Sequence, residues 1–211
     1  MSPRRYRYDP ARRKAALEKT RGRIVRATVD LHAKHGAIGT SYAMIAKKAD
    51  VSLPTVYHHF PTLGGLLTAC SGHVLAQAPQ LGPHIFEGLD DFESRLRVLV
   101  RTLCALYRFA SPWMRWSYYE ARLVPEIAER YKKSAQGRRA LIEASLAPRF
   151  GGSAPAALVG ICEVLLDFPS WQTLTSDGRL SDDEAEASLV SALLTLANTT
   201  KATVSAKGSS T

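Results

Sequence analysis

The run VSLPTVYHHF, residues 51–60, brings two adjacent histidines, a tyrosine and a proline together. Histidines in such a setting could ligate a metal, act as general bases or contact an anion. Zinc needs three or four converging ligands. This segment offers only His58 and His59, whose side chains would diverge by about 100° on a helix. Catalysis needs a nucleophile and a carboxylate that orients the base. Ser52 and Asp50 are close in sequence, yet each suits a local role, as helix cap and as turn residue. No metal ligand, catalytic residue or cofactor is expected. What remains is contact with a phosphate or base edge, or an imidazole packed beneath its helix.

A second concentration comprises Tyr107, Phe109, Trp113, Trp116, Tyr118 and Tyr119, with Phe168 and Trp171 further along. Such density suits a concave apolar pocket and suits an ordinary core equally well. Arg115, Glu120, Glu163, Asp167 and Gln172 could orient a ligand there, or serve as surface charges and caps. Cys70, Cys104 and Cys162 lack CxxC spacing and stand in apolar helical patterns, so they read as buried fillers.

The charge distribution narrows the choice of partner. The 211 residues carry a net charge of +9. Residues 1–60 hold 13 Lys and Arg against 4 Asp and Glu, and residues 61–211 hold 15 of each. All the excess is therefore N-terminal, which favours a polyanion, nucleic acid first, at that end only. No apolar run approaches the roughly 18–20 residues of a spanning helix, and the Arg-rich start lacks a signal peptide's apolar core. A cytoplasmic protein without membrane contact is expected.

Apolar residues recur at helical spacing nearly throughout, which makes the fold class all-α. Asp9 and Pro10 open an early turn. A firmer helix carries Ile24, Val25, Ala27, Thr28 and Leu31 and stops at Gly36. Ser41 or Thr40 caps a short helix, Asp50 takes a left-handed turn, and Ser52 caps a second short helix through Phe60. Two short helices around a tight turn, braced by a longer one, are the parts of a helix-turn-helix. Further helices are expected after Pro61, after an Asp90–Glu93 reciprocal cap, over Pro112–Ala121, Pro125–Arg149 and Pro155–Thr175, and from a Ser181–Glu184 capping box to about Asn198.

The run TSYAMIAKKADVSLPTVYHHFPTLGGLL, preceded by RGRIVRATVDLHAKHG, resembles the TetR family of transcriptional regulators, and FPSWQTL and GRLSDDEAEASLV resemble that family's last two helices. The resemblance implies an N-terminal three-helix helix-turn-helix domain joined to a larger helical ligand-binding and dimerisation domain. The expected divisions are a partly disordered basic arm at 1–20, the reading domain at 21–63, the larger domain at 64–199 and a disordered tail at 200–211.

Carried over by position, Ser41 and Tyr42 contact phosphates. Ser52, Leu53, Pro54 and Thr55 turn toward the major groove, with Leu53 and Pro54 facing bases. Thr55 and Tyr57 reach backbone or nearby bases, His58 a base edge and His59 a phosphate. Leu63 stands where the family often has lysine, and Gly64 and Gly65 replace better helix formers at about 1 kcal/mol each. Arg4, Arg5, Arg7, Arg12 and Arg13 could compensate along the DNA.

The larger domain would bind its effector at Tyr107, Trp113, Trp116, Tyr119, Phe168 and Trp171, and would form a homodimer through the last two long helices. The expected function is a ligand-responsive regulator, a repressor released from a palindromic double-stranded operator by a small apolar or aromatic molecule of unknown identity. The alternative is a sequence-indifferent DNA-packaging protein. An enzyme is not expected, since no set of nucleophile, base and oxyanion donors stands out.

Overall fold

The computed structural model describes residues 9–208, in two compact units that divide between Gln77 and Ala78. Among these residues there are helices and no strands. Arg4, Arg5 and Arg7 and residues 209–211 lie outside the described residues.

The first unit contains α1 (Pro10–His35), α2 (Tyr42–Ala49), α3 (Leu53–His59) and α4 (Leu63–Leu75). The Asp9 carboxylate accepts from the backbone N–H groups of Ala11 (3.0 Å) and Arg12 (3.2 Å), and Pro10 occupies the first turn. That cap starts one continuous helix, where an early turn and a separate helix are expected from the sequence. Residues 11–19 are mostly good helix formers, so nothing interrupts the run, and they stay helical although exposed on every side. Gly36 ends α1 at φ 72°, a backbone that favours glycine. Ser41, Ser52 and Thr62 cap α2, α3 and α4 through bonds to the N–H groups three residues on.

Ile24, Ile45, Val56 and Leu66 are fully buried, with Phe60 at 2% exposure. Each such side chain contributes about 1.5–3 kcal/mol. Leu66 and Cys70 tie α4 to this core, so α4, which the sequence reading assigns to the larger domain, packs with α1 in the first unit.

The second unit contains a 3-10 turn at Pro83–Phe86, α5 (Phe92–Glu120), α6 (Pro125–Phe150), α7 (Ala156–Leu165), α8 (Phe168–Gln172), a π turn at Thr173–Asp177 and α9 (Asp182–Gly208). Its core joins Leu96, Leu99, Val100 and Leu103 of α5 with Ile142 and Leu146 of α6, Leu158 and Val159 of α7 and Leu193 of α9. Arg101–Glu186 (3.3 Å) and Arg108–Asp182 (2.5 Å) tie α5 to α9.

Four boundaries differ from the sequence reading. The cap of α5 is Asp91, which accepts from Ser94 N–H at 2.8 Å, rather than Asp90. Pro112 lies inside α5 instead of opening a helix; its ring removes one backbone donor, and the packing of α5 on α6 and α9 keeps the helix whole. The expected Pro155–Thr175 helix breaks at Leu166, because Asp167 leaves the helical conformation (φ −86°, ψ 158°) to cap α8, whose first turn carries Pro169. α9 runs to Gly208 instead of stopping near Asn198, so residues 200–208 are helical where a disordered tail is expected. No glycine or proline interrupts Thr199–Lys207.

Candidate nucleic-acid interface and candidate effector site

The helix-turn-helix is set by a short chain of backbone constraints. Asp50 adopts φ 52° and ψ 56°, the left-handed conformation that aspartate tolerates. Val51 N–H then returns to the Ala46 carbonyl at 3.1 Å. Arg23 of α1 clamps this turn. Its Nε–H donates to the Ala49 carbonyl at 3.0 Å, its terminal nitrogen donates to the Asp50 carbonyl, and it pairs with the Asp50 carboxylate at 3.5 Å. Nothing in the sequence reading identifies Arg23, although an arginine one position before the buried Ile24–Val25 pair is the available signal.

The α3 edge is exposed along Ser52, Leu53, Pro54, Tyr57 and His58. The Ser52 and Thr55 hydroxyls bond to each other at 2.7 Å, so both serve the cap first. Tyr42, at the start of α2, stacks against Tyr57 with ring centres 4.8 Å apart. Burial, then the neighbouring Tyr57, raises its phenol pKa, which keeps Tyr42 a neutral donor. Ser41 is exposed and caps α2.

His58 and His59 meet edge to face at 5.5 Å. His59 is half-buried, and burial lowers its pKa, helped by His58 and Arg21. A neutral His59 offers a phosphate one N–H rather than a charge. Arg21 itself lies over the Phe60 ring at 4.6 Å. Among the described residues no group of three or more His, Cys, Asp or Glu could hold a metal ion.

In the second unit the six expected effector residues do not converge. Tyr107, Phe168 and Trp171 form one buried cluster with ring centres 5.7–6.0 Å apart. Trp113 packs on Phe109 at 6.0 Å, Trp116 lies beneath Arg115 at 5.4 Å, and the exposed Tyr119 meets Tyr118 edge-on at 5.4 Å.

Two residues missed in the sequence complete the buried cluster. Arg138, at 9% exposure, pairs with Asp167 at 3.2 Å and bonds Tyr107. Tyr131 donates its hydroxyl to Asp167 at 3.0 Å, and Tyr107 donates to the Leu166 carbonyl at 2.6 Å. Desolvation raises the pKa of both phenols, Tyr131 to about 12. The signal for Arg138 was its place in an apolar helical stripe with Leu141, Ile142 and Ser145. Glu163 instead pairs with Arg139 at 2.6 Å, Gln172 is half-buried at the end of α8, and Glu120 is buried at the end of α5.

All three cysteines are buried and none is in a disulfide, as expected, and burial pushes the Cys104 and Cys162 thiols up to about 11. A separate open cleft of about 430 Å³, lined by Asp90, Phe92, Arg149, Leu194 and Asn198 among others, shares no residue with the aromatic cluster. On α7, Ile161 is 46% and Val164 66% exposed, while Leu158, Val159 and Cys162 on the same helix are buried. No described helix is long and apolar enough to cross a membrane.

Residues 24–70 match the model of the bacterial regulatory proteins of the tetR family. No curated protein matches the chain. Solved structures share its fold. A TetR transcription regulator from Haloarcula marismortui is 17% identical, with 86% of this chain and 98% of that one covered and a TM-score of 0.63. A protein from Saccharomonospora viridis, solved as a complex with choline, is 21% identical over 82% of this chain and 94% of its own, with a TM-score of 0.62. The multidrug binding protein EbrR, complexed with imidazole, is 23% identical over 92% and 97%, with a TM-score of 0.53.

Proposed function

We propose that this chain, a TetR-family transcriptional regulator, binds a palindromic operator as a homodimer and acts as a repressor that a small apolar or aromatic molecule releases. The observation that carries the reading is the α3 edge, exposed at Leu53, Pro54, Tyr57 and His58 and held in place by the Arg23 clamp on the turn before it. Apolar Leu53 and Pro54 suit thymine methyl groups, His58 suits a base edge, and Tyr42 and His59 supply donors for phosphates. The basic face of α1, with Arg12, Arg13 and Lys14 exposed, adds attraction that does not depend on sequence.

Dimerisation rests on α7 and α9. Among the described residues, Ile161 and Val164 remain largely exposed on α7, and two copies related by a two-fold axis would close that face as a four-helix bundle. Two reading helices then meet two half-sites, and the operator is palindromic. The Tyr107–Phe168–Trp171 cluster is the effector site, a reading supported by its mutual aromatic contacts and by the Arg138–Asp167 pair beside it. α4, rooted in the first unit by Leu66 and Cys70, is the lever through which effector and operator weaken each other's binding by one coupling free energy.

The test is selection of DNA fragments by the full chain at physiological salt, followed by titration of selected and random duplexes. A palindromic site bound at least about 1000-fold more tightly than random DNA is expected. Equal affinity would replace this reading with DNA packaging. Ile161→Glu should leave the chain monomeric in sedimentation and abolish tight operator binding; a dimer in that variant would place the interface elsewhere.

A further inference from the structure

The polar cluster around Arg138 is built from satisfied groups with two exceptions. The Asp167 carboxylate takes Arg138, the Tyr131 hydroxyl and the Phe168 N–H, and the Tyr107 hydroxyl takes the Leu166 carbonyl. Against these stand Arg138 Nε and Trp171 Nε1, both buried and without a hydrogen-bond partner. Arg138 is 9% exposed and Trp171 6%. Folded proteins pair nearly all such donors, so two within one cluster call for an acceptor. The surrounding surface is aromatic, with Tyr107, Phe168 and Trp171 in mutual contact. The cluster also has an edge open to water, since the Asp167 side chain is 23% exposed and Tyr131 is half-buried.

These facts select a ligand chemistry. Both unmatched atoms are donors, so an amine or ammonium group would meet no acceptor at them and a bare hydrocarbon would leave them unpaired. The Arg138 charge is already balanced by Asp167 at 3.2 Å. A carboxylate entering beside that pair would bring an unbalanced charge into a buried site, which is unfavourable. A neutral carbonyl oxygen accepts N–H donors and adds no charge.

We propose that the effector is a neutral aromatic molecule bearing one or two carbonyl-type oxygens, as in a ketone, ester or amide. Its oxygens accept from Arg138 Nε–H and Trp171 Nε1–H, and its ring packs against Tyr107 and Phe168. The proposal rests on the reading of the second unit as an effector domain and adds the effector's chemical class. Trp171 and Arg138 are then specificity-determining residues. They select the acceptor, while the aromatic rings supply affinity that does not discriminate.

The test uses the full chain and four probes with one ring system: 2-acetylnaphthalene, 2-ethylnaphthalene, 2-naphthoate and 2-naphthylmethylamine, titrated by calorimetry. The ketone should bind at least about 10-fold more tightly than each of the others. The indole N–H resonance of Trp171, identified by its loss in Trp171→Phe, should move downfield with the ketone and not with 2-ethylnaphthalene. Trp171→Phe should reduce the ketone's preference over 2-ethylnaphthalene about 5- to 10-fold.

Tightest binding of the naphthoate or the amine would overturn the proposal. So would a Trp171→Phe variant with the ketone preference intact, or failure of all four probes to bind. Adding the ketone to the protein–operator complex separates the two readings. Selective ketone binding without release of DNA would refute effector control while leaving the acceptor site in place.

Discussion

Arg138→Met removes the guanidinium from a buried ion pair while keeping most of the side chain's volume. Breaking a fully buried pair costs about 3–5 kcal/mol, because a charge is left behind without its partner. Asp167 is 23% exposed and keeps the Phe168 N–H at 2.8 Å and the Tyr131 hydroxyl at 3.0 Å, so this variant should lose only about 2 kcal/mol. Asp167→Asn retains a good cap for α8, yet it strands a guanidinium that is only 10% exposed. The loss should be nearer 3 kcal/mol.

In the double variant no charge is stranded, and stability should return to within about 1 kcal/mol of the original protein. All three tryptophans, Trp113, Trp116 and Trp171, lie in the second unit. Urea unfolding followed by tryptophan fluorescence therefore reports that unit without interference from the first. A double variant whose loss equals the sum of the single losses would refute the reasoning. It would mean that packing, and not the charge pair, sets the cost.

Three further outcomes test the reading unit. Arg23→Met removes the bonds to the Ala49 and Asp50 carbonyls and should lower first-unit stability by about 1.5–3 kcal/mol in thermal melts, with DNA affinity falling in step; an unchanged melt would rule out the clamp. The pKa of His59 is lowered in the free protein, so its contribution to stability is present above pH 6.5 and is lost as pH falls through the lowered value. A phosphate contact instead favours the imidazolium, so operator affinity measured by fluorescence anisotropy should rise between pH 7.5 and 5.5, and His59→Gln should flatten that rise. Replacing Arg12, Arg13 and Lys14 with alanine should reduce the slope of log affinity against log salt by up to about 0.9 per lost phosphate contact, equally on selected and random DNA; an unchanged slope would leave the basic face of α1 away from the duplex.

The features legible in the sequence are those decided within one helical turn. Ser41, Ser52 and the Ser181–Glu184 pair cap their helices as the sequence implies, because a cap needs only the N–H three residues on. Asp50 takes its left-handed turn for the same local reason. The all-α class follows from apolar spacing, and the location of the reading helix follows from the order of caps and breakers. Pro112 and Asp167 show where that logic stops. Proline at 112 signals a helix start, but α5 packs against α6 and α9, and those contacts outweigh one missing backbone bond.

The candidate effector site depended on distances along the chain that no periodicity records. Tyr107, Phe168 and Trp171 come together while Trp113, Trp116 and Tyr119 do not, although all six are aromatic residues on helices. Which face of α5 turns inward is decided by α6 and α9, not by α5 itself. Arg138 meets Asp167 across two helices, and Arg23 reaches carbonyls 26 and 27 residues away. A buried guanidinium is tolerable only where folding delivers its carboxylate. Sequence alone thus specified the helices, their caps and the positive excess of the first sixty residues, while packing between helices selected the side chains that form a site, because burial and charge pairing exist only once distant segments have met.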